Sequence, residues 1–187
     1  MELLSIAQIV LFILGTIFIL FISKKALRSL RHHGFYRFFV FEFTLVLLLL
    51  NVPHWFDFPF SFHQIVSWIL LVYSGFLLFQ SVYFFKKYGG SKQRRENTAN
   101  LEFENTSSLI QKGIYKYIRH PMYVSLLFLD LGAMFKNITI ITLSLAGAAT
   151  IFVVLTAKIE EKENIKFFGA GYDDYMKKTK MFIPFII

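Results

Sequence analysis

There is no cysteine anywhere in the 187-residue chain. That absence removes disulfides, thiolate metal sites, cysteine nucleophiles and S-palmitoylation from consideration. Acidic residues are scarce as well, 12 against 20 lysines and arginines, so the formal charge is +8. Charged residues make up only 17% of the sequence, whereas 56% is hydrophobic and 24 residues are phenylalanine. A soluble domain does not have that profile. Several apolar runs of about 20 residues point instead to an all-α, multi-pass membrane protein forming a single domain, residues 1–187. In such a protein the excess of positive charge reads as basic loops facing the cytoplasm, not as a nucleic-acid surface. No cleaved signal peptide is expected either. The start Met1-Glu2 is acidic, the apolar run Leu3 to Ile22 is too long for a signal core, and no small-x-small site follows.

Read in order, the chain offers about five transmembrane helices. Helix one is Leu3 to Ile22, followed by a basic loop containing Lys24, Lys25, Arg28, Arg31 and Arg37. Helix two runs from about Phe38 to Val52. An aromatic turn with Pro53, His54, Asp57 and Pro59 then resembles an interfacial belt. Helix three runs from about Phe62 to Phe85. From Lys86 to Lys112 the chain is polar, with Arg94, Arg95, Glu102, Glu104 and Asn105, and a short helix start is expected at Thr106-Ser107-Ser108. Pro121 suits the first turn of a fourth segment ending at Phe135, since the N–H it lacks has no partner there anyway. Lys136-Asn137 turns the chain into a fifth segment, Ile138 to Ala157. Lysines and arginines divide 19 to one between the two faces, Lys136 alone lying opposite, which puts the C-terminal tail in the cytoplasm, with the cell inner membrane the expected location.

Ionisable residues inside apolar runs are costly and face protein or water. Asp130 is either a contact to a ligand or a carboxyl tying two helices together. Glu42 reads as a structural ion pair with Arg37 or a snorkelling carboxylate. His32 and His33 sit in the basic loop with no spaced partner, so no metal site is expected.

The stretch Gly113 to Tyr123 gathers Tyr115, Lys116, Tyr117, Arg119, His120, Pro121 and Tyr123 at the mouth of the fourth segment. A second cluster stands where the fifth segment leaves the membrane. There Glu160, Glu163 and Asn164, at i, i+3 and i+4, share a helix face, and Glu161 lies about 100° round. Gly169 fits a helix C-cap, and a short aromatic helix follows from Tyr172 to Lys180.

The pattern Gly113-x-Tyr115-x-x-x-Arg119-His120-Pro121-x-Tyr123 resembles the RHPxY signature of the integral-membrane methyltransferases that include isoprenylcysteine carboxyl methyltransferases and phospholipid N-methyltransferases. The ending Glu160-Glu161, Phe168-Gly169, Tyr172, Tyr175, Pro184 is similar to the same family's tail. The likeness covers about residues 101–187, with residues 1–100 as anchoring helices. It implies S-adenosyl-L-methionine as methyl donor and a membrane lipid or lipidated acceptor, in the manner of an isoprenylcysteine carboxyl O-methyltransferase. Carried over by position, the donor-binding residues are Gly113, Tyr115, Arg119, His120, Pro121, Tyr123, Glu160 and Glu161. Arg119, His120 and Glu161 are the catalytic candidates. The family often has glycine two residues after the motif tyrosine, where this chain has Ser125.

The chemistry of the residues agrees with that resemblance. Glu160 and Glu161 complement an ammonium, while Arg119 and His120 can hold a carboxylate. Tyrosine faces suit a sulfonium, an attraction worth about 0.5–2 kcal/mol. A carboxylate acceptor needs no base, whereas an amine acceptor would need Glu161 or His120 to take its proton. Two alternatives are a phospholipid N-methyltransferase and an NADPH-dependent membrane reductase of the sterol-reductase type. A non-enzymatic scaffold, with residues 113–123 as an interfacial anchor, is a further one.

Overall fold

The computed structural model describes residues 5–90 and 106–184. Among them are six α-helices: α1 (Ile6–Ser23), α2 (His33–Asn51), α3 (Phe62–Tyr88), α4 (Pro121–Met134), α5 (Ile140–Phe168) and α6 (Ala170–Lys178). Four are long and apolar enough to cross a membrane: α1, α2 with its following 3₁₀ turn, α3 and α5. α4 is a shorter apolar helix. The chain is an all-α membrane protein. At about 1.5 Å per residue the 29 residues of α5 reach about 44 Å, well beyond a hydrocarbon core of about 30 Å.

Several boundaries differ from those expected. α2 begins five residues earlier, at His33, because the His32 ring accepts the Gly34 N–H and caps the helix. Histidine is outside the usual capping set, so the sequence carries no start signal there. Thr106-Ser107-Ser108 does not open a helix, since the N–H groups of Ser107 and Ser108 donate to the Gly89 carbonyl instead. α6 begins at Ala170, immediately after Gly169, whose φ of 59° ends α5. Leu3, Arg94, Arg95, Glu102, Glu104 and Asn105 lie outside the described residues.

α4 sits against α2, α3 and α5. Its contact with α3 is close because small residues meet there. A Cβ on Gly132 would stand 2.8 Å from Leu71. Ser67 Oγ donates to the Gly132 carbonyl at 2.6 Å, and Ser74 Oγ to the Ser125 carbonyl at 2.7 Å. Small residues and hydroxyl-to-carbonyl bonds are how membrane helices associate when lipid removes the hydrophobic drive. Ser125 is itself buried and donates to the Met122 carbonyl.

The two serine bonds set the antiparallel register of α3 and α4. Ser67 lies level with Gly132 and Ser74 with Ser125, so Pro121 is level with about Leu78. α3 continues to Tyr88, about 15 Å further. The motif that precedes Pro121 therefore lies down inside the helix bundle. This is the structural meaning of the short fourth segment.

Glu42 and Lys136 have identifiable partners. Glu42 accepts from Thr16 Oγ1 at 2.9 Å, so its partner is on α1 and not the Arg37 expected from the sequence. Asp130 is 1% exposed, and neither of its carboxyl oxygens has a hydrogen-bond partner among the described residues. Lys136, on the face opposite the basic loops, is buried over the Trp68 ring at 3.5 Å and bonded to Gln64 Oε1 at 3.0 Å. Trp55 of the aromatic turn and Trp68 of α3 thus cage a cation.

Candidate functional site

Gly113 begins the local structure that carries the motif. Its φ of +60° is left-handed, and a Cβ there would meet the Phe84 ring at 2.2 Å, so only glycine fits. Residues Gly113–Lys116 form one 3₁₀ turn that buries Tyr115. The chain then runs extended beside the C-terminal tail: Arg119 N–H donates to the Lys180 carbonyl at 2.8 Å, and Lys180 N–H to the Tyr117 carbonyl at 3.0 Å. His120 N–H reaches the Met181 carbonyl at 3.2 Å. Tyr175 Oη donates to the Tyr115 carbonyl at 2.7 Å. α6 and the tail thereby hold the motif from above, while Pro121 starts α4 below it.

The two clusters singled out in the sequence are in contact. Arg119 Nε donates to Glu161 Oε1 at 2.5 Å, and its Nη1 donates to the Thr179 carbonyl at 2.5 Å. His120 Nε2 lies 3.2 Å from the same Glu161 oxygen, and its Nδ1 lies 3.8 Å from Glu160 Oε2. Tyr123 Oη donates to Glu160 Oε2 at 2.5 Å, and the His120 and Tyr123 rings stack with centroids 5.3 Å apart. One buried guanidinium and one imidazole thus hold two consecutive carboxylates, which would otherwise repel.

Two cavities meet at this cluster. The first, of about 60 Å³, is walled by aromatic rings of Phe85, Tyr115, Phe168, Tyr172 and Tyr175, with polar groups from His33, Ser108, Glu160 and Asn164. The second, of about 170 Å³, runs down among Phe41, Ser74, Leu78, Met122, Leu126 and Leu129, with Arg37 and Tyr123 also on its wall. Phe85, Tyr115, Arg119, His120 and Glu160 line both. A polar, ring-walled chamber therefore abuts an apolar one inside the bundle.

Of the eight residues expected to bind a donor, Tyr115, Arg119, His120 and Glu160 line both cavities, while Pro121 and Tyr123 line the second. Gly113 and Glu161 line neither of the two. Gly113 shapes the backbone, and Glu161 holds Arg119 and His120. Burial, then the nearby Glu160 charge, push the phenols of Tyr115 and Tyr172 well above their ordinary range; burial does the same to Tyr175. These rings stay neutral, so they present π faces and not anions.

Sequence reasoning missed the walls supplied by α2 and α3, above all His33. That residue is 2% exposed, not a surface loop residue. Its backbone N–H donates to Glu163 Oε1 at 2.9 Å, and its Nδ1 lies 2.7 Å from Glu163 Oε2. The expectation that it lacked a partner is thereby corrected. With His32 the pair forms a compact group whose possible ligand atoms lie within 4.8 Å of one another, although the His32 ring already accepts the Gly34 N–H.

A helix bundle with a ring-walled polar chamber and an apolar chamber meeting at Arg-His-Pro-x-Tyr and Glu-Glu defines a class. The chain belongs to the phospholipid methyltransferase family, whose model matches residues 63–171, more than half of its length. Among individual proteins it is 33% identical over 72 residues to a methanethiol S-methyltransferase of Crocosphaera subtropica, covering 38% of this chain and 28% of that protein. It is 35% identical over 79 residues to a protein-S-isoprenylcysteine O-methyltransferase of Schizosaccharomyces pombe, covering 42% of this chain and 34% of the relative. The human enzyme of that name is 31% identical over 87 residues, 46% of this chain and 30% of its own. The matches span about a quarter to a third of the length of these relatives.

Proposed function

We propose that this chain is a membrane methyltransferase that moves a methyl group from S-adenosyl-L-methionine to an acceptor carried by a lipid or other hydrophobic molecule, at the cytoplasmic face. The observation that carries this reading is the junction of the two cavities at Tyr115, Arg119, His120 and Glu160. A donor and an acceptor of different polarity need adjoining chambers with one shared wall.

The first cavity suits the donor. Tyr115, Phe168, Tyr172 and Tyr175 offer faces to a purine and a sulfonium. Glu160 is the carboxylate turned to the cavity and meets the ammonium, while Arg119 and His120 lie where a carboxylate would sit. Counting Arg119 with Glu160 and Glu161, the cluster carries an excess of one negative charge, which favours a donor of net positive charge. When bound, the donor supplies an electrophilic methyl group for in-line displacement. The protein's part is to align, to exclude water and to hold charge, and alignment of this kind accounts for several kcal/mol of barrier lowering, about 7–11 in favourable models.

The second cavity suits an apolar tail. Phe41, Leu78, Met122, Leu126 and Leu129 line it. Its side wall between α2 and α3, at Phe41, Ser74 and Leu78, offers a route from the lipid. The 19-to-one distribution of basic residues supports a cytoplasmic position for this end of the bundle.

Calorimetric titration of the detergent-solubilised full chain with S-adenosylmethionine tests the donor half. Binding that weakens at least tenfold in Glu160→Ala is expected. Absence of binding, or equal binding by wild type, Arg119→Ala and Glu160→Ala, would sink it. Transfer of label from the donor to extracted lipids, prenylated peptides or thiols then identifies the acceptor.

A further inference from the structure

We propose that the outer face of α3 carries a binding site for an anionic phospholipid, with one acyl chain in a groove between Gly75 and Lys86 and the phosphate on Lys86 and Lys87. This groove shares only Leu78 with the apolar cavity. Its test reads lipid binding with no methyl donor present, so it stands or falls separately from the methyl-transfer reading.

The groove, of about 480 Å³, is lined by Gly75, Leu78, Phe79, Val82, Tyr83 and Lys86. These positions fall at i, i+3, i+4, i+7, i+8 and i+11, so they form one continuous face of the helix. Leu78, Phe79 and Tyr83 are exposed, and the rings of Phe79 and Tyr83 stack with centroids 6.4 Å apart. Gly75 makes the far end. A Cβ added there meets nothing within 4 Å, unlike Gly132, where Leu71 packs. Glycine weakens a helix interior, and what it offers in return is room for a close neighbour. None of the described residues fills that room, so the notch suits a molecule outside the chain.

Length and charge say which molecule. From Gly75 to Lys86 the helix rises about 16 Å, roughly half of a hydrocarbon core of about 30 Å. That is the depth of one leaflet and the reach of one acyl chain. At the Lys86 end the surface turns cationic. Lys87 Nζ donates to Tyr83 Oη at 3.0 Å, and Lys112 Nζ stands 4.6 Å from the centre of the Tyr88 ring. Among the described residues no carboxylate pairs with Lys86, Lys87 or Lys112. Lysine stems lie along apolar surface while their ammonium groups reach the head-group level, where basic clusters attract anionic lipid. A second copy of the chain fits less well. Two chains of the same orientation, related by a two-fold axis along the membrane normal, would set Lys86 and Lys87 against their own copies. A phosphate removes that repulsion, and a lipid without net charge complements the lysines less.

The test uses the full chain, delipidated in detergent and equilibrated with mixed micelles of equal phosphatidylglycerol and phosphatidylcholine, with retained lipid counted by native mass spectrometry. Phosphatidylglycerol is expected to be held about tenfold more tightly than phosphatidylcholine. The double variant Lys86→Gln, Lys87→Gln should bring the two lipids within about twofold of each other. The double variant Lys24→Gln, Lys25→Gln removes the same charge from the same end of the bundle and should keep the preference. Gly75→Phe fills the notch and should weaken dipalmitoyl phosphatidylglycerol several-fold more than the dioctanoyl lipid. All five side-chain positions are exposed, and unchanged thermal midpoints will show that the variants fold. Equal retention of the two lipids by wild type, or equal loss of preference in both lysine pairs, overturns the site. Equal weakening of long and short chains by Gly75→Phe overturns the groove. A wild-type dimer that Gly75→Phe disrupts assigns the face to a second copy and overturns the proposal as well.

Discussion

Arg119 Nε lies 2.5 Å from Glu161 Oε1 across 42 residues of sequence, and this pairing decides which of two consecutive glutamates is turned to the cavities. Glu161 is engaged by Arg119 and His120, while Glu160 lines both chambers. The two carboxylates therefore have different work. Glu161→Gln should be the destabilising change, because removing one partner of a buried pair leaves the other charge uncompensated, at a cost of about 3–5 kcal/mol. Glu160→Gln should leave the unfolding midpoint nearly intact and weaken donor binding by about tenfold to a hundredfold, the loss of one charge-assisted bond. Thermal unfolding in detergent beside calorimetric titration reads both, and identical profiles for the two variants would contradict the division.

Gly113 tests whether its place in the motif is a matter of backbone or of ligand contact. Gly113→Ala meets two penalties: the left-handed φ, about 1–2 kcal/mol, and a clash with Phe84. Adding Phe84→Ala should relieve the clash and leave the strain. A double variant more stable than Gly113→Ala alone, measured by thermal midpoint, is the expected result.

Leu78 stands at the rim of the apolar cavity and is 48% exposed, so a larger side chain there need not disturb the core. Leu78→Trp should lower kcat/KM for long-chain acceptors several-fold while donor affinity stays within about a factor of two of wild type. Equal turnover of long and short acceptors by this variant would remove the route between α2 and α3.

Three of the nine tyrosines, Tyr115, Tyr172 and Tyr175, have phenols raised above the ordinary value of 10.0. Since the folded state holds these protons more tightly than the unfolded chain, stability is unaffected below about pH 10 and falls as pH rises beyond it. Ultraviolet titration at pH 11 should leave at least these three un-ionised until the chain unfolds. A full complement of tyrosinates in folded protein would show that the ring-walled chamber is open to water.

What could be read from the residues alone was local or compositional. Apolar runs and the scarcity of charge determined a membrane bundle, because both follow from the cost of placing polar groups in lipid. Pro121 and Gly169 marked their helix ends for steric reasons that act within a few residues. The motifs around Arg119 and Glu160 pointed to a site. The partners did not show. His33 looked like a loop residue because its stabilising contact, Glu163, is 130 residues away, and Glu160 and Glu161 could not be told apart because neighbours in sequence differ only in what packs against each face of α5. The C-terminal clamp on Tyr115 and Arg119, the depth of the motif beside α3, and the meeting of two cavities at His120 were decided by tertiary structure. Each depends on helix register and on contacts between distant segments, which close packing selects and which no local pattern encodes.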